Sequence, residues 1–394
     1  NAGVAQPGFF RDKYDCSANG SIASSIALAM PMVSSPAAGQ VGFSAVGATN
    51  AYYGAFAAAR TRGAKFHPET VQQADAITRI SDAHAQASTA TTYCAWWSAG
   101  STNYPKGCDN NALGSTDDGA LTFTSAGAAS YPNMAKTGSG SNFAKTTHNG
   151  QACGIADVAG NIYKINPGMT SIGTTKAITA ATKTNPVQIT VTGHGRITGD
   201  VAVIDGVVGM TQINTKAFTV TVVDANNLTL DGVDGTGFGT YTSGGTLYNA
   251  TFYALKPTAD ITAITDGATL STDHWGAAGV AANFDVITLN FRTDYPNNTL
   301  GQRYGNGSNA VFSNATAADR ARTMLGMPAA GGVSPSGSSL MGTDYYYEHM
   351  VNQLCVISRG YWSLGSTAGG RLRFLGAARS NACYNVGFAA CRYL

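Results

Sequence analysis

The sequence has few charged residues and no long hydrophobic run. Asp, Glu, Lys and Arg make up 12% of the 394 residues, against the roughly 25% that is usual for globular proteins. Gly, Ala, Ser, Thr and Asn take their place, which indicates a turn-rich extracellular or virion protein rather than a cytosolic enzyme. No apolar run approaches the ~20 residues of a membrane helix, so we expect no membrane insertion.

Familiar catalytic motifs are also missing. The chain has no Gly-x-Ser-x-Gly elbow, no His-Glu-x-x-His zinc motif and no Walker loop, and its six histidines are dispersed. We therefore expect that the protein is not an enzyme and that it carries no cofactor, with a structural calcium ion as the one exception to consider.

The seven cysteines show no metal-ligand spacing, so a zinc site is not expected. Cys94 and Cys108 flank a short loop and form the predicted disulfide pair, whose closure would contribute about 3 kcal/mol. In the alternative interpretation, all seven are small buried side chains in a protein that folds in a reducing cytoplasm.

A stretch rich in Asn, Asp, Gly, Ser and Thr, at residues 92–150, contains the candidate metal ligands. Calcium takes carboxylate and carbonyl oxygens, which makes Asp109, Asp117 and Asp118 candidate ligands for a structural calcium ion. EF-hand spacing is absent, so this hypothesis depends on composition alone.

The last forty residues carry the strongest binding signal. They hold five arginines and no Asp, Glu or Lys, although the whole chain has a formal net charge of only +2. A cationic and aromatic segment of this kind favours a polar or acidic partner surface. We do not expect nucleic acid as a partner.

Large side chains in this segment follow neither clean alternation nor a helical stripe, so packing alone does not explain them. We predict that eight of them form one exposed ligand-binding patch: Tyr361, Leu364, Arg371, Leu372, Arg373, Phe374, Leu375 and Tyr384. Trp362, Arg379 and Phe388 are predicted to lie in the frame that supports this patch.

Two groups of motifs carry a resemblance to known families. The first combines Arg359-Gly360-x-Trp362, Ala378-Arg379-Ser380 and Asn385-x-Gly387-Phe388, and it resembles the variable region of phage proteins diversified by retroelements. The second, at residues 154–165, is similar to the Gly-Leu-x-Asp-x-x-Gly-Asn signature of the formylglycine-generating-enzyme branch of C-type lectin-like folds. The two cysteines of that oxidase fall on Arg371 and Gly376 here, so its chemistry is not implied.

The resemblance implies an α+β, C-type lectin-like fold formed by residues 1–173 and 250–394. Between them, residues 174–249 contain short β-branched runs separated by Gly, Asn and Asp turns, which predicts an inserted all-β module, immunoglobulin-like or barrel-like. Helices are predicted from Thr49 to Gly63 and from about Pro68. Because lectin-like folds bring their termini together, we expect the strand at 9–15 to pair with one at 386–392.

These expectations predict a receptor-binding protein at a virion surface, at the tip of a bacteriophage tail fibre or in a similar position. Its C-terminal surface would recognise a host cell-surface receptor, either protein or glycan, while other surfaces contact further virion proteins or form a homo-oligomer. Two alternatives stay open: a structural virion decoration protein and a bacterial surface adhesin.

Overall fold

The computed structural model describes residues 1–87, 122–124, 126–139, 154–158, 160–264, 277–287, 301–303, 345–348, 352–364, 368–370 and 372–394. The helices in these ranges are α1 (Gly54–Arg60), α2 (Val71–Ala87) and α3 (Ala277–Asn283). The strands are β1 (Phe9–Arg11), β2 (Cys16–Asn19), β3 (Ile22–Ser25), β4 (Met32–Val33), β5 (Val41–Gly42), β6 (His67–Pro68), β7 (Tyr163–Asn166), β8 (Met169–Ala177), β9 (Ala180–Ala181), β10 (Val187–Thr190), β11 (Val201–Val208), β12 (Lys216–Val222), β13 (Asn227–Leu230), β14 (Ser243–Leu255), β15 (Phe284–Ile287), β16 (Gly301–Arg303), β17 (Tyr345–Glu348), β18 (Val356–Ser358), β19 (Arg373–Leu375), β20 (Val386–Gly387) and β21 (Ala390–Tyr393).

The predicted α+β, C-type lectin-like fold is wrong. Of the described residues, 34% are in strands and 11% in helices, and the strands form several separate sheets. One reason is that the alanine-rich run after Thr49 yields a helix of only seven residues. A Cβ on Gly54 would lie 1.9 Å from the Thr49 carbonyl oxygen, so this run starts as a tight turn and becomes helical only at Gly54.

The two ends of the chain meet in a three-stranded sheet with the order β1-β21-β6. Strand β1 runs antiparallel to β21, with Phe9 opposite Tyr393 and Arg11 opposite Cys391. This confirms the predicted pairing of the terminal strands. The strand expected at 9–15 is shorter, however, and ends at Arg11.

A six-stranded sheet with the order β16-β17-β19-β18-β7-β20 carries the C-terminal segment. Its strand β7 is buried along its whole length and lies between β18, which is antiparallel to it, and β20, which is parallel. Ile165 on β7 and Ile357 on β18 belong to the same hydrophobic core. The C-terminal residues are therefore built into a buried sheet and do not form a tail.

An eight-stranded sheet contains the region predicted as a β module. Strands β8 and β14 form a long antiparallel ribbon, from Met169 opposite Ala254 to Ala177 opposite Thr246. Residues 178–247 hold a separate hydrophobic core that includes Val187, Ile204, Phe218 and Leu230. The predicted boundaries of the module, at 174 and 249, fall inside these two strands. Among the described residues, β11 pairs with β14 up to Tyr248 and β15 pairs with it from Phe252, so only β8 pairs with residues 249–251 of β14.

Helix α2 begins at Val71 rather than near Pro68, because Thr70 caps it. The Thr70 hydroxyl accepts a hydrogen bond from the Gln73 amide at 3.2 Å, while the Gln73 side-chain oxygen accepts one from the Thr70 amide at 2.9 Å. This reciprocal pair is a capping box with Gln in place of Glu. None of the helices in the described ranges has the length and apolar character required to span a bilayer.

The predicted disulfide and calcium site cannot be placed. Cys94, Cys108, Asp109, Asp117 and Asp118 all lie outside the described residues. Within the described ranges, the cysteines at 16, 355, 383 and 391 form no disulfide, and no group of three His, Cys, Asp or Glu side chains could hold a metal ion.

Candidate functional site

A buried ion network holds the base of the C-terminal segment. Glu69 accepts hydrogen bonds at Oε1 from Arg11 Nε at 3.0 Å and from Arg359 Nη2 at 3.2 Å, with all three side chains almost completely buried. Burial alone would raise the pKa of the Glu69 carboxyl, but the Arg359 and Arg11 guanidinium groups hold it below its usual value. Glu69 is therefore ionised at neutral pH and ties the N-terminal strand to the C-terminal sheet.

Arg359 turns the chain sharply as it enters the candidate site. Its φ is +74° and that of Gly360 is +80°, so two successive residues adopt the left-handed conformation. A Cβ on Gly360 would lie 2.8 Å from the Ala368 side chain. The Arg359 guanidinium also donates to the carbonyl oxygens of Val158 at 3.2 Å and Ala74 at 3.3 Å. Its contacts thus fix the direction in which the next two residues leave the sheet.

A second buried network holds the turn before β7. The Lys164 ammonium contacts Asp15 Oδ2 at 2.9 Å and donates to the carbonyl oxygens of Gly160 at 2.9 Å and Ile162 at 2.7 Å. Gly160 and Asn161 both have positive φ, as a tight turn requires. Asn161 in turn accepts the Trp362 backbone N–H at 3.0 Å, so this network also supports the C-terminal segment.

Above these networks, Tyr131, Tyr361 and Tyr384 form an aromatic group that we call the tyrosine cluster. The Tyr131 and Tyr384 rings are nearly parallel, with centroids 6.2 Å apart. The Tyr361 ring stands perpendicular to both, at 5.9 Å and 6.5 Å. All three side chains are half-buried, while Trp362 packs beneath them with no exposed surface. The cluster thus brings three sequence-distant segments together at the surface.

The hydroxyl groups of the tyrosine cluster lie close to one another. The Tyr361 hydroxyl is near enough to those of Tyr131 and Tyr384, and to the Ser363 side chain, for these groups to shift its pKa. Burial raises the pKa of Tyr361 and of Tyr384 above the usual value for tyrosine. Tyr131 adds to the increase at Tyr361, and Tyr361 adds to it at Tyr384. The Tyr361 and Tyr384 hydroxyls are therefore neutral at physiological pH and can both donate and accept hydrogen bonds.

The eight residues predicted to form the patch differ in how far they are buried. Tyr361, Leu364 and Phe374 are half-buried and pack against one hydrophobic core. Tyr384 is also half-buried and packs against the cluster that contains Trp362. The prediction that Leu372, Arg373 and Leu375 are exposed is wrong, because at most 1% of each side chain is accessible. Arg371 lies outside the described residues.

Leu372 belongs to the hydrophobic core, and the burial of Arg373 and Leu375 follows from their strand. Residues 373–375 form β19, an inner strand of the six-stranded sheet, with β17 on one side and β18 on the other. The Arg373 guanidinium donates hydrogen bonds to the carbonyl oxygens of Gly370 and Leu372, both at 2.9 Å. It therefore stabilises the local backbone. Trp362, Arg379 and Phe388, predicted to lie in the frame, are buried.

Sequence reasoning missed Tyr131 and Tyr163. The Tyr163 ring lies 5.4 Å from that of Tyr361 and 6.2 Å from that of Phe374, and so supports the cluster from the sheet. The alternation of β7 could have indicated a role for Tyr163. Tyr131 lies in a region without periodicity, and only the tertiary fold brings it to the site.

Comparison with known families gives a match in the β-rich middle of the chain. Residues 182–250 match the ubiquitin-activating enzyme E1 FCCH domain. This domain is part of E1 ubiquitin-activating enzymes and is not itself catalytic. The tyrosine cluster lies outside the matched residues. No curated protein matches the chain.

This match corrects the resemblance drawn from the sequence motifs. It supports neither a retroelement-diversified phage protein nor a lectin-like family, so the description of the chain as a bacteriophage tail-fibre protein of C-type lectin fold is wrong. The motifs that suggested it have structural roles here. Arg359, Trp362, Arg379 and Phe388 are all buried, and Gly387 faces a backbone carbonyl.

Proposed function

We propose that this protein is a recognition protein, not an enzyme, and that its tyrosine cluster binds a ligand on a cell surface. The observation that carries this proposal is the meeting of three half-exposed tyrosines on a rigid, ion-paired frame. Tyrosine provides a large, stiff contact area with a polar tip, which is why it is enriched at binding hot spots. The non-catalytic nature of the matched domain is in keeping with such a role.

The physical logic is one of preorganisation. The tyrosine rings pack against each other and against Trp362, so little side-chain entropy remains to be lost when a partner binds. The Tyr361 and Tyr384 hydroxyls are uncharged donors and acceptors, so the cluster can bind a neutral polar surface without burying an unpaired ion. The predicted location on a virion and the predicted contacts with virion proteins stay predictions.

A cell-binding assay tests this function. The fluorescently labelled chain is mixed with a panel of intact cells, beside a Tyr361→Ser/Tyr384→Ser double variant. The control is a Phe10→Ser/Val286→Ser double variant, because these side chains are 65% and 67% exposed and lie outside the cluster. We expect the parent and the control to bind at least one cell type and the tyrosine variant to lose most of that binding.

Two treatments of the cells then identify the target. Protease removes a protein target, whereas periodate oxidises the vicinal diols of a glycan. Binding that survives in the tyrosine variant, or a parent that binds none of the cells, contradicts the proposal. Self-association of the parent that the tyrosine substitutions abolish would instead favour the structural role, in which this surface holds neighbouring subunits.

A further inference from the structure

Asp15, Asp157 and Lys164 form a buried cluster of two carboxyl groups and one amine. Their exposed fractions are 0%, 2% and 0%, so the cluster is closed to solvent. Asp15 lies just before β2, Asp157 lies in the segment before β7, and Lys164 lies on β7 itself. Arg11, another cation near Asp15, is already paired with Glu69. Ligand recognition depends on the support that this cluster gives, but it does not use the chemistry of the cluster.

The Lys164 side chain is oriented towards the Asp15 carboxyl. Its Nζ lies 2.9 Å from Asp15 Oδ2 and donates to the carbonyl oxygens of Gly160 at 2.9 Å and Ile162 at 2.7 Å. When one proton passes from Nζ to the carboxylate, the two remaining N–H groups keep these two carbonyl oxygens as acceptors. The lone pair of the neutral amine then points in the third direction, where Asp15 lies.

The Asp15 carboxyl has no hydrogen bond that would hold it as a carboxylate. Neither of its oxygens accepts an aligned hydrogen bond, although Oδ2 is in contact with Lys164 Nζ. Buried polar groups are normally hydrogen-bonded, so this carboxyl is an exception. Its pKa is raised to about 7, chiefly by burial, and burial also lowers the pKa of Lys164. The site therefore favours the neutral acid and the neutral amine more than water does.

Asp157 is placed to move protons between these two groups. Its Oδ2 accepts the Asp15 backbone N–H at 3.2 Å, and both of its oxygens accept the Gly138 N–H at 2.9 Å. The φ of Asp157 is +55°, a strained conformation that these hydrogen bonds help to maintain. The charge of Asp157 acts on both Asp15 and Lys164. Burial also raises the pKa of Asp157, which suits a group that accepts and returns a proton.

We propose that Lys164 and Asp15 form an amide bond, which cross-links the N-terminal segment to β7. The Lys164 amine attacks Asp15 Cγ and a C–N bond forms. Asp157 takes a proton from the nitrogen and returns it to the departing oxygen, so that the C–O bond breaks and one water molecule leaves. Overall, an ammonium and a carboxylate become an amide and water, and no oxidant, reductant or cofactor is needed.

The fold itself provides the driving force for this bond. Holding two groups in reactive contact is equivalent to a reactant concentration of up to about 10⁸ M. The closed site also protects the amide from hydrolysis. The ion pair of Lys164 and Asp15 is the precursor state, so the pH dependence that Asp15 confers belongs to chains that are not yet linked.

Mass spectrometry of the full chain tests this cross-link. We expect part of the folded protein to be lighter than its sequence mass by one water molecule, and this part to grow during incubation at neutral pH. Trypsin should release residues 14–60 joined to residues 146–176, because an acylated Lys164 is not cut. The chain unfolded in urea is the control, and it should gain none of the lighter species.

Two substitutions separate this bond from other losses of water. In Asp15→Asn the leaving group is ammonia, so the linked chain should be lighter by one ammonia molecule instead. Asp157→Asn keeps the shape of the side chain without its acid, and it should slow the reaction about a hundredfold. Lys183→Met, exposed in the β module, should link at the same rate as the parent.

The mass of the parent decides the outcome even where a variant does not fold. A parent that keeps its full sequence mass throughout the incubation overturns the proposal. A loss of water that also occurs in urea, or that trypsin places at other residues, overturns it as well. An unchanged rate in folded Asp157→Asn contradicts the proton transfer through Asp157.

Discussion

The indole ring of Trp362 lies 6.0 Å from the phenol ring of Tyr384, at an interplanar angle of 70°. One member of the pair is completely buried and the other is half-exposed, so the pair marks the border between the core and the candidate binding surface. Substitutions on the two sides of this border should have different consequences.

Trp362→Ala should destabilise the protein by about 3 to 5 kcal/mol, since it leaves a cavity in the core. Tyr384→Ser should cost only about 1 kcal/mol, the scale of its aromatic contacts. Denaturant unfolding of both variants measures the two changes in the free energy of unfolding. Similar losses for the two would mean that Tyr384 belongs to the core and would weaken its proposed role in binding.

The buried ion network should be far more sensitive than a surface ion pair. Arg359→Met leaves Glu69 buried with one of its two cationic partners missing, which should cost about 3 to 5 kcal/mol. Arg79→Met is the matched control, because Arg79 pairs with Asp75 on α2 but is 53% exposed. It should cost no more than about 0.5 kcal/mol. Equal midpoints of urea unfolding for the two variants would contradict this account.

Asp15 should make the stability of the protein depend on pH. Its folded-state pKa is raised to about 7, because burial and the nearby Asp157 raise it by more than Lys164 and Arg11 lower it. The folded state then binds more protons than the unfolded state between about pH 4 and pH 7, so this residue's contribution is complete at low pH and is lost as pH rises through 7.

Comparing the parent with Asp15→Asn isolates this contribution from those of Asp157, Glu69 and His67. The free energy of unfolding of the parent, measured from pH 4 to pH 8, should fall relative to that of the variant as pH rises. A constant difference between the two proteins over this range would show that Asp15 titrates with an ordinary pKa.

Local sequence patterns predicted the terminal strands and the β-rich middle of the chain, because each depends on residues close together in sequence. They failed for β19. Its residues Arg373, Phe374 and Leu375 show no pattern of one exposed face, since β19 is an inner strand and the buried Arg373 finds its acceptors in the adjacent backbone. The tyrosine cluster was only half predictable, because Tyr131 reaches it through tertiary packing.

Gly387 should tolerate no side chain. A Cβ there would lie 2.2 Å from the Met32 carbonyl oxygen and 2.6 Å from the Ile162 side chain, so Gly387→Ala must separate β20 from β4. We expect a loss of at least about 1 to 3 kcal/mol, as for other overpacked sites. Gly237→Ala, where no atom lies within 4 Å, is the control and should change the melting temperature little or raise it slightly.

The β8–β14 ribbon provides a test of whether the β module is a separate unit. Gly173 is paired with Ala250, so residues 174–249 can be replaced by an Asn-Gly turn that joins these two positions directly. The remainder keeps its own hydrophobic core and the pairing of β14 with β15, while the removed part takes its separate core with it. We therefore expect the shortened chain to unfold cooperatively in calorimetry and to keep the tyrosine cluster.

The excised module, residues 174–249, should also unfold cooperatively when expressed alone. Loss of cooperative unfolding in the shortened chain would mean that the ribbon transmits stability between the two parts, and that they fold as one domain.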